Sequence, residues 1–498
     1  MSFRRATSLA TIGLTLLLIG CAAVGPDYQR PAAIVPAQYK EMKGWKAATP
    51  RDDFAKGEWW TLFRDPELNA LEAQVAVSNQ TLKADEANYR EALALIAEAR
   101  AGLFPTLNFN PTLTRAESQG LVATTLDAQV SAAWTLDVWG KVRRAIEEQG
   151  AAAQVSAADL ANATLSAQSA LALAYVQLCE SDSLDDLLVD TVKQYQRSLA
   201  ITQNQYAAGT SAKSDVITAQ ASVLAAQAQE INVGVARAQN EHAIAVLIGK
   251  PPSELSVPRR RLALDIPAIP LSLPSSLLER RPDIAAAERT MQEQNAAIGV
   301  AVAGYYPDIT LSGAFGYYGD PFVKQIAGAN PVWSYGLSLA QPLFNGGLTD
   351  AQVEAAKQTY EASVATYRQT VLTAFQQVED QLVAIRVLSQ EIKVQVEAVK
   401  AAQQAVQIAL NEYRAGTQNF TTVVTAEAIA LTDEESALTS RAQRLTAVVT
   451  LVVALGGEWS TDELPALPAL PALPALPTLT TAALTSTPTP IPTVAPTP

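Results

Sequence analysis

The chain has 498 residues, of which 49% are hydrophobic and 17% charged, enough apolar residue for a large folded core. Its formal net charge is -13, from 36 basic and 49 acidic residues, so nucleic-acid binding is not expected, because an acidic chain repels phosphate backbones. One His and two Cys cannot supply the ligands of a structural zinc or a multi-histidine metal site. We therefore expect no metal, no cofactor and no metal-dependent catalysis.

The first 21 residues have the pattern of an export signal. Arg4 and Arg5 precede an apolar run from Leu9 to Ile19, which is too short to span a bilayer. The run is followed by Gly20 and Cys21, and a Cys at this place resembles the lipobox of bacterial lipoproteins. That resemblance implies cleavage before Cys21 and acylation of its thiol, with the mature chain tethered to the outer membrane. An ordinary signal peptide that ends in Cys is the alternative.

The remainder of the chain repeats itself once. Three short segments of the first half recur in the same order in the second half, at an offset of about 200 positions. The pairs are Ala101–Pro105 with Ala303–Pro307, Tyr206–Thr210 with Tyr413–Thr417, and Leu247–Gly249 with Ala454–Gly456. Each half should therefore follow one plan of helix, strand, strand, very long helix, turn and helix.

Two stretches in each half alternate between apolar and polar residues, as β-strands do. The alternation is strict from Leu126 to Val138 and from Trp333 to Leu339, and looser over 107–113 and 309–317. This pattern is typical of outer-membrane barrels, although soluble sheets alternate as well. Four strands cannot close a membrane barrel, since known barrels begin at about eight strands. Several copies are therefore predicted to supply strands to one barrel.

Two stretches without proline predict very long helices. No Pro occurs from Lys141 to Lys250 or from Leu343 to Leu464, and both stretches are rich in helix-forming residues. Each stretch is interrupted once, by the Gly-Thr pairs at 209–210 and 416–417. A helix from 141 to 206 would be about 100 Å long, which suits an antiparallel coiled-coil pair in each half.

These patterns divide the chain into six segments. They are a signal peptide at 1–20, a lipidated linker at 21–66, a first repeat at 67–250, a proline-rich connector at 251–282, a second repeat at 283–459 and a tail at 460–498. The tail repeats Leu-Pro-Ala and then becomes rich in Thr and Pro. We expect it to be disordered or polyproline-like, with no packed role.

Motifs in a fixed order identify a family. They are Cys21 with 24–31, Trp59-Trp60, Phe63, Asp65–Leu68, Arg281–Ile284, Ala287-Glu288, Gln341–Gly347 and the twin Tyr-x-x-Gly-Thr turns. Together they resemble the outer-membrane efflux channel lipoproteins that serve resistance-nodulation-division pumps, relatives of the TolC-type exit ducts. The resemblance covers nearly all of residues 21–459.

The resemblance implies a fold, an assembly and partners. The fold is mainly α with a transmembrane β-barrel portion and is internally duplicated. Three copies form a 12-stranded barrel, four strands from each chain, continued by a long periplasmic α-helical barrel of antiparallel coiled coils. The implied partners are a periplasmic adaptor (membrane fusion) protein, an inner-membrane pump of the resistance-nodulation-division type and outer-membrane lipid.

The resemblance also places candidate functional residues at the two turns, which form the periplasmic tip in relatives. Candidates for contact with the adaptor are Tyr206, Gly209, Thr210, Ser211, Tyr413, Gly416, Thr417 and Gln418. For the two Tyr residues, packing within the turn is the alternative.

The gate of relatives carries an Asp just beyond the second turn, which forms a charged ring at the closed aperture. This chain has Thr425 at that position and Thr218 at its first-half counterpart. Either the gate is less acidic or nearby carboxylates supply the charge, with plain helix surface as the alternative. The gate candidates are Asp215, Thr218, Thr421, Thr425 and Glu427.

We expect an outer-membrane exit duct of a tripartite efflux system that passively conducts drugs or other small molecules. No Gly-x-Ser-x-Gly elbow and no Walker motif occurs in the sequence, so no enzymatic activity is expected. One alternative is a duct of the same fold for secreted proteins or metal ions. Another is a non-conducting coiled-coil lipoprotein that braces the envelope.

Overall fold

The computed structural model describes residues 23–33, 35–36, 38–41, 58–264, 277–319, 331–457 and 459–466. The signal segment and Cys21 lie outside the described residues. The described residues are mainly helical. Their α-helices of more than ten residues are α1 (Pro66–Ser78), α2 (Gln80–Ala101), α3 (Lys141–Ala207), α4 (Lys213–Leu247), α5 (Pro282–Ala303), α6 (Leu348–Arg414) and α7 (Phe420–Ala454). Shorter helical segments lie at Trp59–Phe63, Pro252–Glu254, Leu277–Arg280 and Thr461–Glu463.

One antiparallel sheet contains all the strands of the described residues. Its strands are β1 (Thr106–Phe109), β2 (Thr112–Ser118), β3 (Leu121–Thr135), β4 (Asp308–Gly319) and β5 (Pro331–Ala340). Both β1 and β2 pair with β3, so they act as one strand that is interrupted at Asn110 and Pro111. Proline cannot donate to a strand ladder, which accounts for an interruption in an edge strand. The sheet is four strands wide, as the alternation predicted.

The β3 strand begins and ends earlier than the alternation predicted. It runs from Leu121 to Thr135 rather than to Val138. The carboxylate of Asp137 accepts hydrogen bonds from the backbone N–H groups of Val142 and Arg143, at 2.9 and 3.1 Å. These bonds satisfy free donors at the start of α3. The backbone N–H of Leu136 still donates to the carbonyl of Ile309 in β4 at 2.8 Å, so the chain leaves the sheet at Asp137.

The two faces of the sheet differ in polarity. Residues that are paired directly across the sheet form rows. One row contains Phe109 of β1, Val130 of β3, Phe315 of β4 and Trp333 of β5, which are 46–68% exposed in the single chain. The next row contains Asn108, Ser131, Ala314 and Ser334. An apolar face of this size on a single chain must be covered by lipid or by protein.

The long helices form two hairpins of the same dimensions. The α3 and α6 helices have 67 residues each, about 100 Å at 1.5 Å per residue, and the returning helices α4 and α7 have 35 residues each. Among the described residues, no helix is both long enough and apolar enough to cross a membrane.

The returning helices α4 and α7 are each continued by a shorter helix, α2 and α5 respectively. The end of α4 meets the start of α2, where Asn79 donates its side-chain N–H to the carbonyl of Leu247 at 2.8 Å. The end of α7 meets the start of α5 in the same way, through Arg281 and the carbonyl of Ala454 at 3.0 Å. The described residues therefore form four helical columns, namely α2 with α4, α3, α5 with α7, and α6.

The strands and the helical columns follow one order. Helix α3 packs between α2 and α5, and α6 packs against α5. In the sheet, β3 lies between β1/β2 and β4, and β5 pairs with β4. Since α2 leads into β1, β3 into α3, α5 into β4 and β5 into α6, each strand continues one column. The sheet and the helices are two parts of one wall.

Ion pairs fix the connector to α3 and to Asp65, the residue before α1. Arg260 contacts Asp65 at 3.1 Å and Arg261 contacts Asp186 at 2.6 Å, while Arg259 contacts Asp185. Close by, Trp59, Trp60 and Phe63 belong to the largest apolar cluster of the described residues, together with residues of α3, α6 and α7. This cluster joins the two repeats.

The segment after Trp459 packs against the protein, which corrects one expectation. Residues Thr461–Glu463 form a 3₁₀ turn, and Leu464 contacts an apolar cluster that includes Ala158 of α3 and Ala286 of α5. Gln154 donates its side-chain N–H to the carbonyl of Pro465 at 2.6 Å. For residues 460–466 the expectation of no packed role is therefore wrong, and residues 467–498 lie outside the described part of the chain.

Candidate functional site: the hairpin tips

The turns at the ends of α3 and α6 have the same backbone structure. Gly209 has φ +75° and Gly416 has φ +71°, in the left-handed region that favours glycine. The backbone N–H of Thr210 donates to the backbone carbonyl of Gln205 at 2.9 Å. The backbone N–H of Thr417 donates in the same way to the backbone carbonyl of Glu412 at 3.0 Å. These are Schellman caps, which satisfy the last carbonyls of a helix and end it abruptly. The twin Gly-Thr pairs therefore set the length of both hairpins.

Side chains connect the two hairpins at the tip. The hydroxyl of Tyr413 lies 3.0 Å from that of Ser211, and Ser211 donates to the carboxylate of Asp215 at 2.9 Å. Gln205 donates its side-chain N–H to the carbonyl of Tyr413 at 3.2 Å. The Tyr413 ring packs against Phe420 with centroids 5.2 Å apart. We call Gln205, Ser211, Asp215 and Tyr413 the tip latch, since it links the first hairpin to the second.

The structure separates the adaptor candidates into exposed and covered residues. Tyr413 is 5% exposed and Ser211 is half-buried, so both act inside the tip latch and Tyr413 is not presented to a partner protein. Tyr206 is 47% exposed. The remaining candidates are also exposed, namely Gly209, Thr210, Gly416, Thr417 and Gln418.

Glu427 is buried and does not form an exposed charge. It is 5% exposed, and Ser198 of α3 donates to its carboxylate at 2.5 Å. Burial raises the pKa of Glu427 to about 7, while the Ser198 hydrogen bond partly opposes this rise. Desolvation disfavours the ionised form of Glu427, so the gate role considered for this residue finds no support in its exposure and stays a prediction. Glu427 links α7 to α3 at the wall of an 870 Å³ groove.

The threonines among the gate candidates are exposed and neutral. Thr425 donates its hydroxyl to the carbonyl of Thr421 at 2.9 Å, and Thr218 accepts a similar bond from Ser222 at 3.2 Å. Thr421 and Thr425 line a 490 Å³ groove with Ala402 of α6. Since Asp215 is half-buried in the tip latch, none of the five gate candidates presents a fully exposed carboxylate.

Sequence reasoning missed Gln205, Ser198 and Phe420. The repeat carries no signal for them, because their counterparts in the other half have different side chains, and none stands out in composition. Their roles depend on which faces of α3, α6 and α7 meet, which periodicity within one helix does not specify. Among the described residues, no group of three or more His, Cys, Asp or Glu is arranged to hold a metal.

The first described residues, from Ala23 onward, lie at the junction of sheet and helices. The backbone N–H of Val24 donates to the carbonyl of Trp139 at 2.9 Å, and Arg144 pairs with Asp27 at 2.8 Å. Ala23 lies so close to Gly140 that a Cβ on Gly140 would be 2.5 Å from the Ala23 Cα. Residue 23 is therefore fixed where β3 passes into α3.

Comparison with known proteins gives one family. The model of the family described as outer membrane efflux protein matches residues 71–250 and 273–457. The toluene efflux pump outer membrane protein TtgC of Pseudomonas putida is 29% identical over 464 residues, which cover 91% of this chain and 96% of that protein. The fusaric acid resistance protein FusA of Burkholderia cepacia is 31% identical over 365 residues, 70% of this chain and 69% of that protein.

Solved structures have the same fold. The outer-membrane channel OprN is similar with a TM-score of 0.82 and 29% identity, covering 88% of this chain and 100% of that one. The open MtrE outer membrane channel of Neisseria gonorrhoeae has a TM-score of 0.78 at 24% identity, with coverage of 88% and 99%. The predicted fold class, mainly helical with a β-barrel portion, is confirmed by these likenesses.

Proposed function

Because the chain belongs to the outer membrane efflux protein family, we propose that three copies form the exit duct of a tripartite efflux system. The duct conducts small molecules passively across the outer membrane, and the partner pump supplies the energy. The main observation behind this proposal is the single wall of four strands and four helical columns, which ends in two unpaired edges.

The edges of the sheet support an assembly of several chains. Within the described residues, β1/β2 and β5 each pair on one side only. Unpaired strand edges cannot lie in lipid, because each free backbone group there costs several kcal/mol. Pairing β5 of one copy with β1/β2 of the next removes every edge. The family resemblance sets the number at three, which gives twelve strands.

The outer columns support the same arrangement. On α4, the apolar residues Ile217, Leu224, Ile231 and Val235 are 55–79% exposed and lie on one side of the helix, away from Ala219 and Val223, which are buried. On α6, Leu372, Val387, Val394 and Ile408 are 48–70% exposed. Both helices are free edges of the wall, and the spacing of seven between several of these residues is that of coiled coils. We infer that α4 of one copy packs against α6 of the next.

The N-terminal segment supports anchoring by lipid. Because Ala23 lies at the junction of β3 and α3, Cys21 is at most two residues from the base of the barrel. Two residues span about 7 Å, so an acyl chain on Cys21 can enter the inner leaflet of the outer membrane. The helical hairpins then extend away from this leaflet into the periplasm.

We propose that the tip is both a gate and a docking site. The tip latch joins neighbouring hairpins through hydroxyl and amide hydrogen bonds, so its loss would let the hairpins separate. We propose that the exposed residues of the turns, with Tyr206 and Gln418 at their edges, contact the periplasmic adaptor. Adaptor binding then favours the open arrangement of a two-state tip.

The cargo is proposed from the relatives. TtgC is named for toluene efflux and FusA for fusaric acid resistance. We propose that this duct likewise passes small organic compounds delivered by an inner-membrane pump of the resistance-nodulation-division type.

Planar bilayer recordings test the duct. Purified protein should give discrete conductance steps, and Tyr413→Phe should raise the open fraction, because it removes one hydroxyl hydrogen bond from each tip latch while leaving the ring against Phe420. A bond of this kind contributes about 1 kcal/mol, so we expect the ratio of open to closed channels to rise about fivefold for each latch that is weakened.

Tyr206→Phe is the matched control. Tyr206 occupies the same turn position in the first repeat but is 47% exposed, so its change should leave the open fraction unaltered. The duct proposal would be contradicted if neither the wild-type trimer nor the Tyr413→Phe trimer gave any conductance. That result would favour a bracing role.

A further inference from the structure

A mostly apolar groove, with Thr164, Gln168 and Glu463 among its lining residues, lies along α3 beside the end of the described chain. It has a volume of 590 Å³ and is lined by Tyr89 of α2, by Leu160 and Leu165 of α3, and by Trp459. Ala157 and Ala161 of α3 also line it, and their small side chains leave room for an occupant. Grooves with aromatic walls are the usual recognition sites of polyproline II segments.

The chain itself begins to occupy this region. Pro465 borders the groove, and Leu464 packs against Ala158 and Ala286. The Gln154 side chain is 5% exposed; its N–H donates to Pro465, and its carbonyl oxygen has no hydrogen-bond partner among the described residues. A buried acceptor beside the point where the chain continues is available to a backbone N–H from the following residues.

The following sequence suits the groove. Leu-Pro-Ala recurs from Leu464, so Leu stands at 464, 467, 470, 473 and 476. A polyproline II helix has three residues per turn, which would place every Leu of such a repeat on one side. The twelve residues 466–477 would extend about 37 Å, whereas the groove from Ala157 to Gln168 is about 16 Å long. The repeat is therefore long enough to turn back and fill the groove.

We propose that the Leu-Pro-Ala repeat of the tail, residues 467–477, docks in cis into the groove formed by Tyr89, Leu160, Leu165 and Trp459. The Leu side chains enter between the two aromatic rings, and the first backbone N–H groups of the repeat reach the carbonyl oxygen of Gln154. The docked tail ties the end of α7 to the middle of α3, where the two repeats meet. This inference is independent of conduction.

Cysteine protection tests the docking in the assembled protein. Ala161→Cys places a thiol in the groove lining, and its rate of reaction with a maleimide is compared between the full chain and a chain that ends at Ala466. We expect about tenfold slower labelling in the full chain, the factor for a docked state favoured ten to one. The native Cys179 does not interfere, because it is buried and burial raises its pKa to about 12.

Two controls make the result decisive. Ala94→Cys on the exposed side of α2 should react equally in both chains. A peptide of four Leu-Pro-Ala units should restore protection to Ala161→Cys in the shortened chain. Equal rates for Ala161→Cys in the two chains would overturn the proposal. A photoreactive residue at position 89 should cross-link within one chain, and covalent chain dimers would overturn docking in cis by showing that a neighbour's tail fills the groove.

Discussion

At the scale of single residues, Glu427 makes the contact between α7 and α3 sensitive to pH. Its pKa is raised from 4.5 to about 7, chiefly by burial. The groups around it are Ser198 and Tyr195 on α3, with Glu434, Lys400, Arg414 and Arg197 lining the same groove. A raised pKa means that the folded state binds the proton more tightly than the unfolded state. The stabilisation that protonated Glu427 gives to the folded state is therefore complete below pH 4.5 and is lost as the pH rises through 7.

We predict that Glu427→Gln removes this dependence. Glutamine keeps an acceptor for the Ser198 hydroxyl and carries no charge, so the contact should be equally stable from pH 5 to pH 8.5, whereas the wild type weakens over that range. Amide exchange of the α3 and α7 segments around Ser198 and Glu427, corrected for the intrinsic effect of pH, measures the difference. Glu397→Gln, at an exposed carboxylate of α6, should behave like the wild type. Exchange in Glu427→Gln that accelerates with pH as in the wild type would disprove the assignment.

At the scale of elements, the hairpin turns depend on left-handed glycine. We predict that Gly416→Ala destabilises the turn by about 1 kcal/mol, because a Cβ disfavours φ +71°. Amide exchange of Thr417 should therefore accelerate about fivefold. In the described part of the chain, apart from the two residues next to Gly416, no atom lies within 4 Å of the position of that Cβ, so the cost comes from the backbone and not from a clash. Gly416→Asn should cost less, since asparagine tolerates this conformation better. Equal exchange in Gly416→Ala and the wild type would show that the cap does not hold the turn.

The elements were largely predictable from the sequence, because local signals define them. The absence of proline from 141 to 250 and from 343 to 464 predicted the long helices, and the twin Gly-Thr pairs predicted their ends. Alternation predicted β4 and β5 well, but it overran the end of β3, since Asp137 serves the start of α3 instead. The family resemblance is confirmed by the match to the outer membrane efflux protein model.

The site was predictable only in part, because its chemistry depends on contacts between elements. The turns were located correctly, yet the burial of Tyr413 and Glu427 follows from the packing of α7 against α3 and α6, which no single-helix pattern reveals. The prediction for the start of the tail was wrong for a related reason. Its composition is that of an unpacked segment, but Leu464 meets a small apolar cluster supplied by two distant helices.

At the scale of the whole molecule, a single chain is an incomplete wall. The order of strands matches the order of columns, so closing the sheet at its edges also brings α4 of one copy beside α6 of the next. A barrel of twelve strands then continues into twelve columns without a change in the number of elements. This one-to-one continuation explains why the repeat unit contains two strands and two columns rather than a separate barrel domain.

We predict that Ile231→Asp disrupts the trimer. Ile231 is 79% exposed in the single chain and lies on the free apolar side of α4, so assembly would bury an unpaired carboxylate there, at a cost of about 3 kcal/mol or more at each interface. Light scattering on the detergent-solubilised protein should give the mass of one chain, or a mixture, where the wild type gives three. Gln229→Asp adds the same charge at an exposed position of α4 outside this stripe and should remain a trimer. A trimer of Ile231→Asp as stable as the wild type would place α4 away from the interface and require a different closure of the wall.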